Sequence, residues 1–352
     1  MQKLVRKLKK YNLGFVSKRI YYNLKYYGFT RPYSNIVRSL RDPNYYKYNA
    51  AKYKDLLLEN THGNGQIISL GGKSRYVGSA SFNMAKFFDS ILKQTSDLSK
   101  IEVVFAVDPD DELEVFVKLK KKYGKLFKLI FIIAPQRYGY RGLNLYDKLI
   151  FQNISPNSQA YVMVCDDIYI TLKHYDTYIQ SVLERYKDGI FLIGGLCDTI
   201  IPYRMELAKL YGAKEPMCMH AMFTKSQGVV GAYPCFGTKL LKLASEALET
   251  TTLLTPAQKQ DWSPIGNSPL TDMQIDVIFW FLLLAGYNRY VTKHIVDAHP
   301  LYVRIRPGAA KDSFGFNSMD WTFLKFLNSV SLAFVEQIVE LCVKHICHNQ
   351  KN

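Results

Sequence analysis

No acidic residue occurs before Asp42, although Lys3, Arg6, Lys7, Lys9, Lys10, Lys18, Arg19, Lys25, Arg31, Arg38 and Arg41 all fall there. A block of one sign cannot neutralise itself by local pairing, so it reads as an electrostatic arm for a polyanion. The chain also lacks a long apolar run. Its longest, Val277 to Gly286, is too short to cross a bilayer, and the first residues carry no apolar stretch followed by a cleavage site. The expectation is a cytoplasmic protein, soluble or peripheral at the inner face of a membrane. The six cysteines (Cys165, Cys197, Cys218, Cys235, Cys342 and Cys347) are few for the length and dispersed through apolar contexts, which argues against a disulfide framework and for a reducing compartment. No internal repeat is present. Gly71-Gly-Lys-Ser lacks the Gly-x4-Gly-Lys-Ser spacing of a phosphate loop. Cys342, His345, Cys347 and His348 lack a second Cys/His pair, so they read as a helix core face and a tail rather than a zinc site.

What is present is enough to build a large core. A chain of 352 residues with 48% apolar side chains has room for one large α/β domain with additions, or for two domains. Its 46 basic and 30 acidic residues leave a net charge of +16 and a pI near 9.4, which favours an anionic partner such as nucleic acid or a membrane surface. Leu4, Leu8, Tyr11 and Phe15 recur at helical spacing among the basic residues. Such a helix either lies on a membrane or phosphate backbone, or packs its apolar stripe on the body of the protein. The 26 tyrosines and 20 phenylalanines are open to two readings, stacking surfaces or the codon usage of an A/T-rich genome.

Organisation changes near residue 60. Residues 1–60 read as a basic aromatic extension, Thr61-His-Gly-Asn-Gly65 as a linker, 66–305 as the main domain and 306–352 as a C-terminal helical segment with a helix over Phe326–His345. In the main domain, strands and helices alternate. The pattern predicts strands at 66–70, 101–107, 129–134 and 161–164, with helices at 79–94, 112–123 and 144–151 between them. A loop is expected at Gly71–Arg75. Further along, it predicts a helix at 173–186, strands at 189–194 and 219–224, a Pro/Gly/Ser-rich flap at 255–269 and an apolar helix at 271–285. Strands separated by helices imply a mainly parallel sheet whose ligands sit at the carboxyl ends of the strands.

The tip of the fourth strand is the most informative point. Tyr161-Val-Met-Val-Cys-Asp-Asp is an apolar strand closed by Asp166 and Asp167. Adjacent carboxylates repel and are costly to desolvate, so at a strand end they are either solvated turn residues or ligands of a cation. Hard cations such as Mg²⁺ and Mn²⁺ take oxygen ligands and commonly share one or two carboxylates with substrate phosphates.

The segments ISLGGKSR, VFAVDPDDE, RYGYRGLNLYDKL, YVMVCDDIYI, PLTDMQIDVIFWFLLLAGY and IVDAH resemble, in order and spacing, GT-A glycosyltransferases of the family 2 type, over about residues 66–300. The resemblance implies an α/β fold with a Rossmann-like, mainly parallel sheet flanked by helices. It also implies a donor site in which Ser69 and Arg75 border the nucleotide, Asp108 and Asp110 contact base or ribose, and Arg137 and Arg141 contact phosphate or base through their planar donor forks. Asp147 falls where the family often has Asn. Asp167, with Asp166, would hold Mn²⁺ or Mg²⁺, and His299 would complete the metal shell. Asp272, at a helix start, would be the general base of an inverting enzyme.

The expected activity is transfer of a sugar from a nucleotide-diphosphate sugar, a UDP-sugar in the first instance, to an acceptor hydroxyl. The acceptor would lie on a surface glycan or lipid at a membrane, or on a hydroxymethylated base flipped out of DNA. Two other classes stay open at this point: a nucleotidyltransferase using the same acids for phosphoryl transfer, and a non-catalytic polyanion-binding protein. Sequence leaves the oligomeric state open.

Overall fold

The computed structural model describes residues 45–74, 80–109, 111, 113–136, 138, 143–166, 168–194, 234–261, 271–293, 295–298 and 330–350. The alternation read from sequence is realised as β1 (Ile68–Lys73), α2 (Ala80–Gln94), β2 (Ile101–Val107), α3 (Leu113–Tyr123), β3 (Lys128–Ile133), α4 (Leu143–Phe151) and β4 (Ala160–Cys165), preceded by α1 (Tyr45–Leu58). Then follow β5 (Ile168–Ile170), α5 (Tyr175–Arg185), β6 (Leu192–Gly194), β7 (Cys235–Gly237), α6 (Thr238–Thr250), α7 (Pro256–Asp261), α8 (Thr271–Leu284), β8 (Tyr290–Thr292), β9 (Val296–Ala298) and α9 (Val330–Gln350).

The described strands form one seven-stranded sheet in the order β3-β2-β1-β4-β7-β6-β8 and a two-stranded sheet, β5-β9. β1 pairs in parallel with both β2 and β4, β2 with β3, and β6 with β8, while β7 runs antiparallel to its neighbours β4 and β6. This is an α/β fold with a mainly parallel sheet flanked by helices.

Alternation of side chains along the central strands gives two cores, one on each face of the sheet. Leu70, Val103, Phe105, Leu129, Phe131 and Val164 point to one face, where they meet Phe87 and Phe88 of α2, Phe116 and Tyr123 of α3 and Tyr175 of α5. Phe88 sits edge-on to Phe105, Tyr123, Phe127 and Phe131, with centroids 5.0–6.4 Å apart, the geometry that ring quadrupoles favour. Val104, Ala106, Ile130, Ile132 and Tyr161 point to the other face, which α4, α6, α8 and α9 cover through Ile150, Leu240, Ile278 and Phe334. Leu57 of α1 is fully buried in the first core, so the stretch from Tyr45 packs on the α/β body.

Two expected loops contain regular structure. Gly71 and Gly72 do not begin a loop; β1 continues through them to Lys73. Both are crowded. A Cβ on Gly71 would strike the Tyr161 ring, and one on Gly72 would lie 2.6 Å from the Val164 carbonyl oxygen. The glycines therefore admit neighbouring side chains and backbone to the strand rather than bending it. The stretch expected to be a flap opens as a helix, α7, with Pro256 in its first turn, where a missing N–H costs nothing. The strand expected at 219–224 lies outside the described residues.

Candidate active site

The sheet order fixes where a ligand would sit. From β1 the chain crosses to β2 and then β3 on one side, and α4 returns it to β4 on the other side of β1. The order thus reverses between β1 and β4, and at such a switch point the connecting helices diverge and leave a crevice beyond the strand tips. Right-handed crossovers then demand that α4 lie on the opposite face from α2 and α3, as the two cores show.

Buried polar side chains gather at that edge. Ser74, just past β1, is 1% exposed, and its hydroxyl donates to Asp166 Oδ2 at 3.2 Å across the switch point. Asp166, just past β4, is itself buried at 4% exposure. Lys73, the last residue of β1, places its Nζ 2.8 Å from each carboxylate oxygen of Asp147 on α4. Asp108, just past β2, accepts a short hydrogen bond from the Tyr146 hydroxyl, and its own N–H donates to Asp111 Oδ2 at 3.0 Å. Tyr146 and Asp147 are consecutive, so the first turns of α4 hold the tips of β2 and β1 together. Burial, with the nearby Asp147 charge added, pushes the Tyr161 hydroxyl well above its ordinary pKa.

Buried carboxylates elsewhere have plain structural duties. Glu102 pairs with Lys128 at 2.8 Å and accepts from Ser155 N–H at 2.6 Å. Asp176 accepts the N–H groups of Ser96 and Asp97 at 2.9 and 3.0 Å, fixing the turn before β2. Asp188 pairs with Arg289 at 2.8 Å and caps Ile190 N–H. The other buried acids among the described residues, Asp108, Asp111, Asp147 and Asp166, all lie at the carboxyl edge of the sheet.

Of the residues expected at the site, Asp108 and Asp166 come together at this edge. Ser69 does not. It is the second residue of β1, about 16 Å of strand from Ser74; it is fully buried, and its hydroxyl is bonded to Glu102 and Ser158 at 2.7 Å from the latter. Its role is to tie β1 to β2 and to the turn before β4, which removes it from any nucleotide contact. Arg75, Asp110, Arg137, Arg141, Asp167 and His299 lie outside the described residues. Asp272 belongs to the first turn of α8, with its side chain outside the description.

The chain neighbours of two of these residues are informative. β5 and β9 pair antiparallel, and the ladder runs Ile170 to Val296, Tyr169 to Asp297 and Ile168 to Ala298. Ile168 follows Asp167 in sequence and Ala298 precedes His299. Sequence periodicity missed both strands because three residues carry no period. Lys73, Ser74 and Asp111 fall in polar runs that end predicted strands, whereas Tyr146 carries no signal beyond a polar residue type at a helix start.

As a cation site, the edge offers hard oxygen donors: the Asp166 carboxylate with the Ser74 hydroxyl beside it. That chemistry suits Mg²⁺ or Mn²⁺ rather than a soft metal. Among the described residues no group of three or more His, Cys, Asp or Glu side chains is gathered to hold a metal. The fit thus depends on Asp167 and His299 joining Asp166. Three of the C-terminal cysteines and histidines are engaged elsewhere: Cys342 is buried in the second core, which pushes its thiol up to about 12, and His345 Nε2 lies 3.0 Å from the Asp188 carbonyl oxygen. Cys347 Sγ lies 3.0 Å from the Tyr287 hydroxyl. No described helix is long and apolar enough to cross a membrane.

No family model and no curated protein matches the chain. Among solved structures it is similar to residues 1–349 of TarS from S. aureus in complex with UDP, at 14% identity over 82% of this chain and 74% of that one, with a TM-score of 0.44. The same protein in complex with UDP-GlcNAc matches at 15% identity, 80% and 73% coverage and a TM-score of 0.41. A 4-diphosphocytidyl-2C-methyl-D-erythritol synthase from Anaerococcus prevotii matches at 10% identity, 67% and 90% coverage and a TM-score of 0.35.

Proposed function

We propose that this chain is a glycosyltransferase that moves a sugar from a nucleotide-diphosphate sugar, a UDP-sugar, to an acceptor hydroxyl with inversion. The observation that carries the reading is the buried Ser74–Asp166 contact at the β1/β4 switch point, where an α/β sheet binds its ligand. The pairing of Ile168 with Ala298 supports it further, because the chain neighbours of Asp167 and His299 then lie one strand spacing apart.

In this reading Asp166, Asp167 and His299 hold Mn²⁺ or Mg²⁺. The bound cation supplies Lewis-acid stabilisation of charge on the departing diphosphate. Asp108 accepts a hydrogen bond from a ribose hydroxyl or the base. Arg75, Arg137 and Arg141 bind the phosphates as preorganised planar donors. Asp272 takes the proton of the acceptor hydroxyl as its oxygen attacks the anomeric carbon; the glycosidic bond forms as the bond to the diphosphate breaks. The acceptor is presented on a polyanion, an anionic glycan or lipid surface or DNA, which the basic first 41 residues engage electrostatically.

Product analysis tests this. Incubation with a panel of nucleotide sugars and Mn²⁺ is expected to release the nucleoside diphosphate, and chelation or Asp166→Asn is expected to lower the rate by at least about a hundredfold. Consumption of added pyrophosphate to give the nucleoside triphosphate and the sugar 1-phosphate would assign nucleotidyl transfer instead, and no turnover of any nucleotide sugar would remove the proposal.

A further inference from the structure

We infer that Tyr146 is the positioning residue of the nucleotide pocket, coupling the carboxylate at the tip of β2 to the loop that follows β3; the inference rests on the nucleotide-binding reading of Asp108.

Two bonds of the Tyr146 hydroxyl join the strand tip to the β3–α4 connection. The hydroxyl donates to Asp108 Oδ1, and it accepts the backbone N–H of Tyr138 at 3.0 Å. A phenol hydroxyl has one proton to give, and here it goes to the carboxylate. The ring itself is held by burial at 3% exposure and by an edge-on contact with Tyr138, with centroids 5.1 Å apart. The Asp108 backbone is fixed as well, through its N–H to Asp111 Oδ2. The Tyr146 bond thus holds the Asp108 carboxylate in one orientation at the strand tip.

The arrangement has a consequence for recognition. A carboxylate reading a ribose hydroxyl or a base N–H gains affinity when its rotamer is set before the ligand arrives, because the ordering entropy is then spent in folding. Tyr146 also ties Tyr138, half-buried on the β3–α4 connection, to the same carboxylate. One hydroxyl therefore sets the spacing between two elements that border the expected nucleotide site. Removing it leaves the aromatic packing intact and loosens both.

Equilibrium binding of UDP by wild type, Tyr146→Phe, Asp108→Asn and the double variant tests the inference. Tyr146→Phe keeps the ring, so thermal unfolding should shift by only a few degrees while UDP affinity falls about tenfold, the scale of one hydrogen bond to a charged group. In the Asp108→Asn background the same change should cost under about twofold, because the two residues act as a unit. In turnover, KM for the donor should rise while kcat stays within about twofold of wild type. Unchanged UDP affinity in Tyr146→Phe, or the same loss in both backgrounds, would overturn the positioning role. Failure of the wild-type protein to bind UDP or any other nucleoside diphosphate would instead remove the nucleotide reading beneath it.

Discussion

At the scale of single residues, burial decides what each polar group can do. Lys73 and Asp147 form a buried ion pair with both carboxylate oxygens engaged, an arrangement that offers little net stability against an apolar pair of the same volume. Its position at the tip of β1 gives it a reason to be there: it fixes α4 against the edge that carries Ser74 and Asp166. Lys120 is different. Its ammonium donates to the carbonyl oxygens of Glu59 and Leu129 far from that edge, and burial, aided by the nearby Lys128 charge, lowers its pKa from the ordinary 10.5 to about 8. Between those two pH values the unfolded chain binds the proton and the folded chain does not, so folding stability rises with pH across that window. Denaturant unfolding of wild type and Lys120→Met should show the difference in favour of wild type growing from pH 7.5 to 10. A difference that stays constant or shrinks would show that Lys120 keeps its ordinary affinity for the proton.

At the scale of elements, legibility followed the strength of the local pattern. β2 was readable at its observed bounds, Ile101–Val107, because a strand buried on both faces is a continuous apolar run closed by a polar turn. The helices α2, α3 and α4 were readable within a residue because each carries an apolar stripe at helical spacing. β1 was cut short because Gly71-Gly72 has the composition of a loop, and the cause of those glycines, the Tyr161 ring and the Val164 carbonyl, lies on a strand far away in sequence. β5, β7, β8 and β9 are three residues long, and only partners found by folding define them. Helix α6, with Leu240, Leu241, Ala244 and Ala247 on its buried face, carries an apolar stripe of the same kind. The candidate site followed the same rule. Asp108 and Asp166 were legible as polar residues ending apolar strands, whereas Lys73 and Tyr146 were not, since nothing local indicates that a lysine in a Gly-Gly-Lys-Ser run or a tyrosine in a helix will turn toward a strand tip. Ser69 misled because a serine in a first strand looks the same whichever edge of the sheet it lies near.

At the scale of the whole molecule, charge and fold divide the labour. The α/β body begins by Tyr45, since Leu57 of α1 is part of the core, and the block free of acids ends at Arg41. Removing residues 1–41 should therefore leave the sheet and its edge intact. The truncated protein is expected to retain metal-dependent donor hydrolysis within about twofold while losing at least about tenfold in affinity for anionic vesicles or duplex DNA at low salt. Loss of hydrolysis along with binding would make the arm part of the catalytic domain. The same loss on both polyanions would identify charge as the determinant, and a loss on one alone would identify the surface that presents the acceptor.

Sugar transfer as proposed requires a cation and a nucleoside diphosphate to meet at the tips of β1 and β4. Calorimetric titration of UDP into the protein, with and without Mn²⁺, and into Asp166→Asn, measures that meeting directly. Binding that strengthens at least about tenfold with Mn²⁺ in the wild type, and does not respond to Mn²⁺ in Asp166→Asn, is the predicted result; UDP binding of equal strength in all of these conditions would contradict it.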